Sequence, residues 1–88
     1  MSGYPLHLLY FAWLRERIGA GAETIAVPGE IATLGELRDW LSQRGPGYAS
    51  AFAAGKTVRA AVNQVFATPE TALHPGDEVA FFPPVTGG

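Results

Sequence analysis

Residues 33–47, TLGELRDWLSQRGPG, decide how the chain is read. Thr33 followed three residues later by Glu36 forms a capping box, in which each side chain satisfies a backbone N–H that the first helical turn leaves without a partner. Leu34, Leu37 and Leu41 then fall on one face with Trp40 at its edge, and Gly45 with Pro46 ends the pattern. The stretch predicts one amphipathic helix of about three turns, lying with its leucines on an apolar surface.

Around it the period changes from helical to alternating. Upstream, Leu6 to Ala12 places Leu6, Leu8, Tyr10 and Ala12 on one face and His7, Leu9 and Phe11 on the other, the pattern of a central strand covered on both sides. WLRERIGAGA (13–22) reads as a reversal and ETIAV (23–27) as a second strand stopped by Pro28 and Gly29. Downstream, residues 45–57 read as a loop anchored by Tyr48 and Phe52. VRAAV (58–62) is a third strand, with Val58, Ala60 and Val62 inward and Arg59 and Ala61 outward. HPGD (74–77) suits a type II turn that delivers the chain into a last strand, EVAFF (78–82). The order β-β-α-β-β, with one helix against one sheet, predicts an α+β domain of the β-grasp kind: a mixed sheet with one main helix on one face, spanning 1–82. Residues 83–88 are expected to form an extended, flexible Gly-Gly tail.

Composition narrows the function. In 88 residues there is room for one core. Hydrophobic residues make up 48% and charged residues 16%, a surface poor in charge. The net charge of −2 with scattered basic residues argues against nucleic acid as a partner. No signal peptide or membrane span is apparent, because Arg15, Glu16 and Arg17 interrupt the early apolar run, so a cytoplasmic location is expected. The absence of cysteine and the separation of His7 from His74 point away from a metal site. AAGKT (53–57) lacks the first glycine of a phosphate-binding loop, where Ser50 stands, and runs into a strand instead of a helix. Asp77 and Glu78 point to opposite faces of a strand, unsuited to shared acid and base work.

The chemistry concentrates in FFPPVTGG (81–88). Alternation puts Val79 and Phe81 into the core and Phe82 on the opposite face, where Phe66 can join it; the two either form an exposed aromatic pair of the kind that marks a contact surface or fill the sheet's second face. Pro83 and Pro84 lack backbone donors and hold the chain extended. From Pro83 to Gly88 the chain spans roughly 20 Å, and the bare Gly87 and Gly88 fit a channel too narrow for side chains. Ordering such a tail costs about 1–2 kcal/mol per flexible residue, so contacts elsewhere must offset it. The Gly88 carboxylate is ionised and unreactive as an electrophile until activated. Adenylation followed by attack of a sulfur donor turns it into a thiocarboxylate, a strong nucleophile.

AAVNQ (60–64) and GDEVAFFPPVTGG (76–88), supported by FAWLRERIG (11–19) and TLGELRDWL (33–41), resemble the small, sulfur-carrying subunits of molybdopterin synthase, a ubiquitin-like β-grasp family. The likeness covers nearly the whole chain. It implies that a ubiquitin-activating-like adenylyltransferase uses ATP to adenylate Gly88, and that a sulfur donor converts it to the thiocarboxylate. The tail then enters a large synthase subunit, in a heterotetramer of two small and two large chains, and gives its sulfur to cyclic pyranopterin monophosphate. By the same resemblance Gly87 threads the partner's active site, Pro83, Pro84, Val85 and Thr86 line the channel, and Phe66 and Phe82 make hydrophobic contacts. The carrier itself binds no cofactor, and the catalytic residues belong to its partner. Two alternatives remain: a protein modifier conjugated through Gly88, and a carrier for another pathway such as thiamine synthesis, whose members are usually shorter and lack FFPPVTGG.

Overall fold

The computed structural model describes residues 3–53 and 57–84. Its elements run β1 (Tyr4–Tyr10), α1 (Trp13–Ile18), β2 (Ala22–Val27), α2 (Leu34–Ser42), α3 (Pro46–Ala51), β3 (Arg59–Val62), β4 (Val65–Ala67) and β5 (Glu78–Phe82). The five strands form one sheet in the order β2-β1-β5-β3-β4. β1 and β5 lie parallel at its middle and every other pairing is antiparallel, the mixed sheet of a β-grasp domain.

The capping box over Thr33 is present. Glu36 Oε1 accepts from the Thr33 N–H (3.1 Å) and also from Ala32 (2.8 Å), while the Glu36 N–H donates to Thr33 Oγ1 (3.3 Å). Leu34, Leu37 and Leu41 are buried against Leu6, Leu8 and Tyr10 of β1, Val27 of β2, and Val79 and Phe81 of β5. Phe81 stacks on Tyr10 with centroids 6.1 Å apart and meets the Phe52 ring edge-on at 5.0 Å. The expected turn HPGD is closed by the Asp77 N–H donating to the His74 carbonyl (3.1 Å), with Gly76 at φ 86°.

Four expectations need correction. WLRERI is a short helix, α1, and not a simple reversal; its six residues are too few to show a full apolar period. The stretch after Gly45 is likewise helical: Pro46 stops α2 and opens α3 at its first turn, a position where a missing N–H costs nothing. α3 closes on α1 so tightly that a Cβ on Gly47 would lie 2.4 Å from the Arg17 carbonyl oxygen. Residues 65–67 form a fourth edge strand, β4, and β3 begins at Arg59, with Val58 packed beside the core just ahead of it. Finally, β1 is an interior strand but is not covered on both faces: His7 and Phe11 are exposed and Leu9 is half-buried. The helical layer serves only the other side.

Among the described residues no helix is long and apolar enough to cross a membrane.

Candidate functional site

The open face of the sheet is built by alternation from strands whose other face is core. In β5, Val79 and Phe81 are buried, so Glu78, Ala80 and Phe82 turn the other way. Register then sets Ala80 beside Leu9 on one side and Ala61 on the other, with Phe66 beyond Ala61. The result is a band of apolar side chains crossing four neighbouring strands and ending in the aromatic ring of Phe66.

Phe82 is half-buried and Phe66 is 79% exposed, with ring centroids 6.0 Å apart and planes tilted by 55°. The structure therefore brings together the two aromatics singled out in the sequence. It adds a third: Phe11, 48% exposed, whose N–H donates to the Phe81 carbonyl (3.1 Å) as the chain leaves β1. Its place opposite Tyr10 in the alternation was a usable signal, masked by the expectation that both faces of β1 were covered. Pro83 and Pro84 follow directly from this patch and are half-buried. Val85, Thr86, Gly87 and Gly88 lie outside the described residues.

Phe66 owes its place to a turn. Asn63 and Gln64 both have positive φ (51° and 70°), the geometry of a two-residue hairpin whose twist matches its strands. Asn63 is locked to the start of β5: its Nδ2 donates to Asp77 Oδ1 and its Oδ1 accepts from the Glu78 N–H, both at 2.9 Å. Asp77 also accepts from the His74 N–H (2.8 Å). The adjacent carboxylates of 77 and 78 thus include one that fastens a turn and one that faces the open side. Asparagine tolerates positive φ, but glutamine at the second position is not the usual choice, and this hid the hairpin in the sequence.

A second polar cluster lies on the packed side. Glu23 Oε2 accepts from Tyr48 OH (2.7 Å), Tyr10 OH (2.8 Å) and Arg44 (3.3 Å), and the Arg44 guanidinium lies over the Tyr48 and Trp40 rings. Partial burial alone would push the Glu23 carboxyl up. The hydrogen bonds from Tyr48 and Tyr10 and the charge of Arg44 outweigh it and hold the group below the usual carboxylate range. Burial first, then the bond to Glu23, pushes the Tyr10 phenol well above its ordinary value. The cluster ties α3 to β1 and β2, as expected of an anchoring Tyr48, and all of its members are occupied with one another. Among the described residues no group of three or more His, Cys, Asp or Glu side chains is placed to hold a metal ion.

The site is therefore an aromatic contact face leading into the C-terminal segment. Residues 8–88 match the ThiS family. The chain is 45% identical to the molybdopterin synthase sulfur carrier subunit of Haemophilus influenzae, over 94% of this chain and 99% of that one. It is 41% identical, with the same coverage, to the protein of that name in Escherichia coli. Among solved structures, SAMP1 of Haloferax volcanii, a small archaeal modifier protein, superposes with a TM-score of 0.71 at 29% identity, covering 96% of this chain and 99% of the other.

Proposed function

The chain belongs to the ThiS family, and we propose that it is the sulfur carrier subunit of molybdopterin synthase, acting in molybdenum cofactor biosynthesis. The observation that carries this reading is 45% and 41% identity, over 94% of this chain, to two proteins of that name. The aromatic face leading into Pro83 and Pro84 supports it, since a carrier needs a docking surface beside its reactive terminus.

The carboxylate of Gly88 attacks the α-phosphate of ATP on an activating enzyme, forming an acyl-adenylate and releasing pyrophosphate. A sulfur donor then displaces AMP, leaving a thiocarboxylate. In the large synthase subunit that sulfur passes to cyclic pyranopterin monophosphate, and the carboxylate is regenerated for another round. This chain supplies the carried atom and the docking contacts: Phe66 and Phe82, with Phe11 beside them, hold the partner while Pro83, Pro84, Val85 and Thr86 lead Gly87 and Gly88 into its active site. Two carriers and two large subunits form the working heterotetramer, in the cytoplasm.

Intact mass spectrometry after incubation with ATP, the activating enzyme and a sulfur donor tests this. The expected result is replacement of one terminal oxygen by sulfur, reversed on adding the large subunit and pterin precursor. A chain extended by one residue after Gly88 is expected to fold normally and acquire no sulfur; efficient loading of that extended chain, shown to be unprocessed, would exclude the tail mechanism. The likeness to SAMP1 favours a second reading, a protein modifier. Conjugation to target lysines in place of sulfur gain would establish that one.

A further inference from the structure

Around the edge of the sheet from the aromatic patch lies a cavity of about 440 Å³, between the first turn of α2 and the β3–β4 hairpin. Its apolar lining includes Leu34, Ala60 and Phe81, and Phe66 forms part of its wall. Among the described residues, the charged side chains that line it are Arg38 and Arg59. Arg59 is exposed, and neither arginine has a carboxylate partner among the described residues; Arg38 rests 5.8 Å over the Phe52 ring. Of the nearest acids on α2, Glu36 is committed to the cap, and Asp39 lines a neighbouring cleft that Arg38 also borders, without an ion pair between the two. A chain of net charge −2 thus presents, at this one groove, an apolar floor with a cationic rim.

Two further features define what fits there. β4 is an edge strand. Its two-residue turn makes Val62 and Val65 the hydrogen-bonded pair, so Ala61 and Phe66 form the next, non-bonded pair, and the Phe66 N–H and C=O point away from β3. The edge therefore offers a donor and an acceptor to an extended chain. The groove is also continuous with the docking face, because Phe66 belongs to both and Arg59 stands beside Phe82 in the β3–β5 register.

We propose that this groove receives an extended, acidic segment of the protein partner that covers Phe66 and Phe82. The segment runs along β4, sets an apolar side chain over Leu34, Ala60 and Phe81, and places a carboxylate against Arg38 and Arg59. The proposal rests on the reading of this chain as a carrier whose partner is the large synthase subunit. Charge at the rim then steers encounter, while the aromatic patch provides the contact area.

Calorimetric titration of the full-length carrier with the large subunit from the same organism, at low and high salt, tests it. Arg59→Glu is expected to weaken binding about tenfold or more at low salt, and the deficit is expected to shrink as salt rises. Arg38→Gln is expected to weaken it less, and the double variant to flatten the salt dependence of affinity. Melting temperatures check the fold; if Arg38→Gln melts early, the exposed Arg59 decides alone. Binding by Arg59→Glu equal to the parent at low salt, with Phe82→Ala still impaired, overturns the groove proposal and leaves the carrier reading intact. A parent chain that neither binds the large subunit nor gains sulfur overturns both.

Discussion

Phe81 and Phe82 are neighbours of the same residue type on one strand, and the sheet sends them to opposite environments. Phe81 is buried, stacked on Tyr10 and met edge-on by Phe52. Phe82 is half-buried, and its ring lies against that of Phe66, itself largely solvent-exposed. Both faces of the sheet are apolar at this end, yet only one has helices to cover it. Hydrophobicity on the packed face stabilises the fold. On the open face the same residue type leaves surface in water, a cost that is offset only when another protein covers it.

The contrast predicts a separation of effects. Phe81→Ala removes a ring from the middle of the core and is expected to cost about 3–5 kcal/mol of folding stability, measured by denaturant or thermal unfolding. A loss below about 1 kcal/mol would mean that the two faces do not differ in the way described. Phe82→Ala is expected to weaken affinity for the large subunit by about 1–3 kcal/mol while shifting the melting temperature little. Early melting with unchanged affinity would assign Phe82 to the core.

The smallest effect belongs to Glu23, on the packed side. Its carboxyl sits below the ordinary value when folded, so its contribution is present in full above the unfolded-state value and is lost as pH falls through the folded one. Glu23→Gln is expected to cost about 1 kcal/mol near neutrality. The gap from the parent should close as the solution is acidified below the ordinary carboxylate range. A constant gap down to strongly acidic pH would show that the charge of Glu23 contributes nothing.

The legible parts of the fold were those with local chemical signals. Thr33 and Glu36 announce a helix start because a capping box is satisfied within four residues. Pro75 and Gly76 announce a turn because their backbone preferences match its two central positions. The helices α1 and α3 were not legible, since six residues hold less than two turns and α3 is made largely of small side chains. β4 was missed because its turn uses Gln64 at positive φ, held there by the pairing of Val62 with Val65 and by Asn63 fastened to Asp77. Of the contact face, Phe66 and Phe82 followed from alternation and from their neighbourhood to the tail. Phe11 did not, because a strand with apolar residues on both sides looks the same whether its second face meets a helix or water.

The sequence alone determined which residues of each strand share a face, where α2 begins, and that the chain resembles a carrier ending in Gly87 and Gly88. All of these are set by near neighbours in the chain: side-chain period, capping and turn chemistry. Tertiary structure decided which of the two apolar faces is left open, that Phe11, Phe66 and Phe82 lie at one end of it, and that Arg38 and Arg59, far apart in sequence, rim one groove. Those depend on strand order and on where the helices pack, which are settled by contacts between residues distant in the chain and leave no mark in any single stretch of it.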